Sequence, residues 1–130
     1  MRHYRVTFED VIAAHSHAMT LGGLPGLLNQ AAIESAIGRP YSGYHRQISR
    51  KAAALMHALV QNHGFVDGNK RTALLVTELL IRRSGYRLWL DESERVDDIV
   101  VDIACGQIDF ETLVSWFKLR LVKERTHPPD

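Results

Sequence analysis

Nine consecutive residues, His63–Arg71, have the sequence HGFVDGNKR and run directly into an apolar helical pattern. They combine an imidazole, a carboxylate, a glycine turn, an amide and two cations. Gly68 permits a positive φ, and Asn69 is a good N-cap for the helix that follows. The free amides of a first helical turn, together with the helix dipole, form an anion site. This inventory is typical of a site that binds a nucleotide phosphate.

The charged side chains of the stretch suggest the chemistry of such a site. An imidazole titrates near neutral pH, so His63 is the natural general base for a hydroxyl group. Asp67 offers the oxygen ligand that Mg²⁺ prefers. Lys70 and Arg71 fall in the first helical turn, where cations are unfavourable unless an anion binds. Each piece alone is common in turns and caps, but together they predict phosphoryl or nucleotidyl transfer.

The stretch resembles the signature of the Fic/Doc family, His-x-Phe-x-(Asp/Glu)-(Gly/Ala)-Asn-(Gly/Lys)-Arg. The ending Asn-Lys-Arg, with Lys70 in the middle, resembles the ending of the signature in the Doc (death-on-curing) toxin branch. Most Fic members have glycine at the position of Lys70. Leu74 stands where those members have a second arginine. Two upstream segments, Gly22–Leu27 and Glu34–Pro40, also resemble Doc sequences, so the resemblance covers most of residues 5–120.

The resemblance implies a role for each matching residue. His63 would take the proton from a Ser, Thr or Tyr hydroxyl of a target protein, and Asp67 would bind Mg²⁺ that bridges the phosphates of ATP. Gly68 and Asn69 would form the anion cradle, and Arg71 would hold a phosphate through a bidentate contact. Phe65, outside this set, would pack the loop against the core.

Lys70 bears on which group is transferred, because it fills the space that glycine leaves for phosphates in the Asn-Gly-Arg branch. The Doc branch is understood to bind the nucleotide inverted, which presents the γ-phosphate to the acceptor. The resemblance therefore favours a protein kinase toxin that blocks translation, with elongation factor Tu as the family's kind of target. A transferase of AMP or another NMP on the same scaffold is the alternative.

Two non-enzymatic classes also remain as alternatives. A degenerate binding module that regulates its antitoxin's operon would be expected to lack His63 or Asp67, and both are present. A helical DNA-binding protein is disfavoured by the net charge of +1 and by the acid-rich segment Asp91–Asp98. The sequence lacks the inhibitory string (Ser/Thr)-x-x-x-Glu-(Gly/Asn), so an inhibitory element comes from another polypeptide or is absent. The Doc resemblance implies a Phd-type antitoxin as partner in trans.

Length and composition predict one domain, at residues 3–125 of the 130, with a disordered tail at 126–130. The apolar fraction of 45% is that of a globular protein. No apolar run is long enough to span a bilayer, and no signal-peptide core follows the N-terminus. The single cysteine, Cys105, lies in an apolar helical pattern and is expected to be buried. These features fit a reducing cytoplasm.

Hydrophobic periodicity and capping signals predict an all-α fold, a compact six-helix bundle. The catalytic loop lies at the N-terminus of its fourth helix, which is apolar nearly all round and is expected to be central and buried. Tyr86–Leu90 alternates as a short extended segment would. The predicted helices are Thr7–Met19, Leu28–Ile37, Ser49–Asn62, Asn69–Ser84, Glu94–Cys105 and Asp109–Lys123.

Several residues near these motifs have less specific patterns. His15, His17 and His57 lack zinc-ligand spacing and are expected to be surface or hydrogen-bonded structural histidines. Tyr41 and Tyr44 are either ordinary loop aromatics or part of the family's target-docking flap. Finally, Gly64 stands where Pro or an aliphatic residue is common, and a glycine is expected to loosen the loop and lower activity.

Overall fold

The computed structural model describes residues 3–43 and 45–124. Within these ranges the predicted all-α architecture is confirmed, with six helices, one 3-10 turn at Arg39–Tyr41 and two three-residue strands. Both Tyr44 and the tail predicted to be disordered lie outside the described residues. The helices are α1 (Phe8–Met19), α2 (Gln30–Gly38), α3 (Ile48–Gln61), α4 (Asn69–Arg83), α5 (Val96–Ala104) and α6 (Phe110–Arg120), and the strands are β1 (Tyr86–Leu88) and β2 (Leu121–Lys123).

Three helices begin where the sequence supplies a capping side chain. Thr7 and Asp10 form the predicted capping box of α1, with side-chain-to-amide distances of 3.1 and 3.0 Å. The side chains of Asn29 and Asp109 each accept a hydrogen bond from the amide three residues later. Because Asn29 is the cap, α2 begins at Gln30, two residues later than predicted. The bounds of α1 to α5 otherwise agree with prediction to within two residues.

The end of α6 differs from the prediction. The sequence predicts that this helix continues to about Lys123, but it ends at Arg120 and the chain continues as β2. β2 pairs antiparallel with β1, with Leu88 opposite Leu121. The extended segment predicted at Tyr86–Leu90 therefore exists, and its partner is the segment that local periodicity assigns to a helix. Pairing between segments this far apart in sequence is invisible to a helical pattern.

The hydrophobic core lies between α3 and the helices around it. α4 packs against α1, α3, α5 and β1, which gives it the central place that the sequence predicts. α3 shares that place and buries more of its residues. Its buried face is built largely from small and medium apolar side chains: Ala52, Ala53, Ala54, Leu55, Met56, Ala58, Leu59 and Val60.

Cys105 corrects one expectation from the sequence. It was expected to be buried within a helix, but it is the exposed residue directly after α5. α5 therefore ends before the cysteine, and the adjacent Gly106 takes a positive φ of 70° that turns the chain away. Within the described ranges, no helix combines the length and apolar character that crossing a membrane requires.

Candidate active site

The six residues singled out by the sequence line one cleft of about 630 Å³. The cleft opens where α3 ends and α4 begins, along the signature loop, residues His63–Gly68. Leu21 and the start of the glycine segment, residues Gly22–Leu28, form part of its wall, together with Ala104 at the end of α5. The structure thus brings together His63, Asp67, Gly68, Asn69, Lys70 and Arg71.

His63 lies at the start of the loop in an unusual backbone conformation. It is the one non-glycine residue in the described ranges with a positive φ, at 47°. A side chain in the left-handed region costs roughly 1–2 kcal/mol, so neighbouring contacts must hold it there. Asn62 supplies one such contact, since its side-chain Nδ2 donates to the carbonyl of Ala32 at 3.1 Å. The conformation leaves the imidazole exposed in the cleft, where it can reach a reactant.

Gly64 does not form the loose loop that its glycine predicts. It is buried, and its carbonyl accepts hydrogen bonds from the amides of Leu28 and Asn29 at 2.8 and 3.1 Å. A Cβ at this position would lie 2.4 Å from Cγ1 of Ile33 and 2.8 Å from its Cδ1. Glycine is therefore the residue that lets the loop pack directly onto α2.

The carboxylate of Asp67 accepts hydrogen bonds from two backbone amides. Oδ2 accepts from the amide of Leu24 at 3.1 Å, and Oδ1 accepts from the amide of Gly68 at 2.8 Å. These two bonds, and then the nearby charges of Arg71 and Lys70, hold the pKa of Asp67 below its ordinary value. The side chain is therefore a carboxylate at neutral pH, the form that binds a cation.

The start of α4 is arranged differently from the prediction. Asn69 was expected to cap the helix, but the N-cap is Gly68, with φ of 79°, and Asn69 is the first helical residue. Its side chain instead closes the signature loop, where Oδ1 accepts from the amide of Phe65 at 3.1 Å and Nδ2 donates to the carbonyl of Phe65 at 2.9 Å. A glycine cap offers no side chain to the first-turn amides, so they remain suited to an anion.

The glycine at position 68 is favoured by its positive φ of 79° and lies close to α1. A Cβ there would lie 2.4 Å from Cε of Met19 and 3.6 Å from the ring of His15. α1 therefore packs directly against the turn that begins α4. A side chain at this turn would therefore strain the backbone and displace the end of the Met19 side chain.

The two cations of the first turn of α4 have different surroundings. Nη1 of Arg71 donates to the carbonyls of Ala18 and Gly22, at 3.1 and 3.3 Å, which ties the guanidinium to the end of α1. Lys70 is exposed along the cleft. No acidic residue lies in this first turn. The positive end of α4 thus combines its dipole with one tethered cation, Arg71, and one exposed cation, Lys70, which favours a bound anion.

Sequence reasoning missed the part that α1 plays in this site. His15 is buried, its ring stacks on Phe65 with centroids 3.7 Å apart, and its Nε2 lies 2.9 Å from the carbonyl oxygen of Asp67. The signal was present, because His15 shares a helical face with Val11 and Ala18, both fully buried. Phe65 is itself buried, as the resemblance implies for a packing residue.

The tyrosine of the 3-10 turn has a structural place. The hydroxyl of Tyr41 accepts from the amide of Val6 at 2.8 Å and donates to the carbonyl of Tyr4. It does not line the cleft. The hydroxyl of Tyr41 therefore anchors the N-terminal segment, and a part in the family's target-docking flap stays a prediction.

The glycine segment lies along the signature loop and presents an apolar edge. Leu27 pairs with Phe65 in an isolated antiparallel bridge, and the amide of Val66 donates to the carbonyl of Gly26 at 2.9 Å. Leu24 and Leu28 are 68% and 64% exposed, so this edge is not covered by the described chain.

Comparison with known proteins identifies the family of this chain. The model of the Fic/DOC family matches residues 5–81, which include the signature loop and the start of α4. The chain is 30% identical over 113 residues to the protein named Toxin Doc of Mycolicibacterium smegmatis, covering 82% of this chain and 85% of that protein. It is 32% identical over 118 residues to the Protein kinase doc of Escherichia phage P1, covering 87% and 90%. The chain belongs to the Fic/Doc family.

Proposed function

We propose that this protein is the toxin of a type II toxin–antitoxin pair and transfers the γ-phosphate of ATP to a Ser or Thr hydroxyl of a target protein. The observation that carries the proposal is the single cleft that collects a base, a carboxylate, an anion-binding helix start and two cations. The names of the two relatives, a toxin and a protein kinase, support the same activity.

In this mechanism the target's hydroxyl oxygen forms a bond to the γ-phosphorus of ATP. At the same time the bond between the γ-phosphorus and the oxygen that bridges the β- and γ-phosphates breaks, and ADP leaves. The hydroxyl proton passes to His63, which the positive φ leaves exposed in the cleft. The leaving ADP keeps the electron pair of the broken bond. Arg71, Lys70 and the first-turn amides of α4 would stabilise the charge that spreads over the phosphate oxygens.

Asp67 is the residue that would hold Mg²⁺. Its lowered pKa keeps it ionised, which suits a hard cation. Within the described part of the chain, no group of three or more His, Cys, Asp or Glu side chains is arranged to hold a metal by itself. This donor set fits Mg²⁺, which commonly binds through one carboxylate together with substrate phosphates. When bound, Mg²⁺ neutralises charge on those phosphates.

Lys70 favours phosphorylation over transfer of AMP. Its side chain lines the cleft where the Asn-Gly-Arg branch has only glycine backbone. The place of that branch's second arginine is taken by Leu74, which is half-buried against the hydrophobic core. Both differences make the site less like that of the AMP-transferring members. Transfer of AMP or another NMP is the second candidate function, because those enzymes share the same scaffold.

An antitoxin of the Phd type is the partner that we propose in trans. The sequence lacks the inhibitory string that many Fic proteins carry on their own chain. The inhibitory element then comes from another polypeptide or is absent. The Doc resemblance supports the first alternative, and a segment that folds as it binds suits a reversible switch.

The test is mass spectrometry of purified elongation factor Tu after incubation with this protein and Mg·ATP. We expect a gain of about 80 Da, one phosphoryl group, which disappears with His63→Ala. His17→Ala is the matched control, because His17 is an exposed histidine outside the cleft. A gain matching AMP would reject the kinase, and an unmodified factor would reject elongation factor Tu as the target.

A further inference from the structure

His15 packs against the signature loop from α1, a helix that carries none of the signature residues. It is 8% exposed, yet it is a polar side chain on the apolar face of α1. A buried polar group costs free energy unless it is hydrogen-bonded. The bond that satisfies it runs to the carbonyl oxygen of Asp67, 2.9 Å away. Because a carbonyl only accepts, Nε2 carries the proton and donates.

Together with a second hydrogen bond, this bond fixes the orientation of the peptide group between Asp67 and Gly68. The carbonyl that His15 holds and the amide of Gly68 belong to the same peptide unit. That amide donates to Oδ1 of Asp67 at 2.8 Å. A rotation of the peptide away from His15 would therefore also break the bond that orients the carboxylate. The stack on Phe65, with ring planes 6° apart, limits movement of the imidazole itself.

We propose that His15 is a positioning residue that holds the Asp67 carboxylate in the orientation needed to bind Mg²⁺. The inference rests on the proposed function for its role in turnover, because it assigns Asp67 to the metal. The structural part of the inference is that His15 holds the peptide group between Asp67 and Gly68. This part concerns the signature loop alone and does not depend on the proposed function. His15 does not line the cleft, so we assign it no direct contact with a reactant.

Two substitutions separate the hydrogen bond from the packing of the ring. His15→Phe keeps an aromatic ring to stack on Phe65 but removes the donor. His15→Gln removes the ring but places an amide N–H near the position of Nε2. The matched control is His17→Phe, which changes an exposed histidine of the same helix.

The first readout is amide hydrogen exchange in the protein alone. We expect His15→Phe to speed exchange at the amides of Gly68 and Leu24, which both donate to Asp67, by about five- to tenfold. Exchange in α3 and α6 should stay unchanged, His15→Gln should recover most of the protection, and His17→Phe should have no effect. Equal exchange in His15→Phe and the unchanged protein would overturn the inference.

The second readout is the Mg²⁺ dependence of phosphate transfer. The Mg²⁺ concentration for half-maximal rate should rise about tenfold in His15→Phe, with KM for the target protein unchanged. His15→Gln should lie close to the original value. A loss of rate with no change in Mg²⁺ dependence would show that His15 only packs the core. If the unsubstituted protein transfers no phosphate, the proposed function fails, and the exchange measurement still decides whether His15 holds the loop.

Discussion

Individual residues in the signature loop show how far a motif can be interpreted by residue type alone. The loop's catalytic candidates all lie in one cleft, as their clustering in sequence suggests. Gly64 and Asn69 behave differently from their usual propensities. Gly64 is needed because Ile33 lies against it, and Asn69 bonds to Phe65 instead of capping a helix. Both roles depend on neighbours that a residue's own type does not reveal.

Gly64→Ala tests the close packing of the loop on α2. The added methyl would overlap Ile33, and overpacking of this kind costs about 1–3 kcal/mol in the free energy of unfolding. Urea denaturation measures the loss. Gly38→Ala is the matched control, since nothing lies within 4 Å of a Cβ there and its φ of −79° is ordinary.

The double variant Gly64→Ala with Ile33→Ala separates a steric clash from a backbone effect. Ile33→Ala removes both atoms that the new methyl would meet. We expect the double variant to be more stable than the sum of the two single losses implies. Additive losses would mean that Gly64 is needed for another reason.

The lowered pKa of Asp67 predicts how its contribution to stability changes with pH. Its pKa in the folded protein lies below the unfolded value, because the amides of Leu24 and Gly68 bind the carboxylate form. This contribution is present above the unfolded pKa and is lost as pH falls through the folded pKa. The difference in unfolding free energy between the unchanged protein and Asp67→Asn should therefore shrink from about pH 5 toward pH 3. A constant difference across this range would contradict the bonding described for Asp67.

At the scale of elements, locally encoded features were predictable and paired ones were not. The capping box of α1 and the cap of α6 follow from side chains within four residues of the bonds they make. β2 depends on β1, more than 30 residues away in sequence, so its residues look helical when considered alone. The same limit applies to α1, whose contact with the signature loop joins residues 52 positions apart.

Thr7→Ala tests the capping box of α1. Loss of the bond from the amide of Asp10 should lower the free energy of unfolding by about 1 kcal/mol. Ser16→Ala, an exposed position in the same helix, should change it by less than about 0.5 kcal/mol. Thermal or urea unfolding of the two variants gives the comparison, and equal losses would argue against the cap.

At the scale of the whole molecule, the cleft forms where several elements meet, with three main contributions. α3 presents His63, α4 presents its first-turn amides and cations, and α1 with the glycine segment holds both Asp67 and Arg71 in place. The motif in the sequence predicts the first two contributions. The third requires the fold, because Arg71 bonds to Ala18, 53 residues earlier.

The central claim is that this cleft transfers the γ-phosphate of ATP, with His63 as the base. The most direct test is paired labelling of a cell lysate with ATP that carries ³²P at either the γ- or the α-phosphorus, which requires no prior choice of target. The account predicts a protein band labelled only by the γ-labelled nucleotide, present with the unchanged protein and absent with His63→Ala. Label from the α-position, or label that persists in His63→Ala, would contradict it.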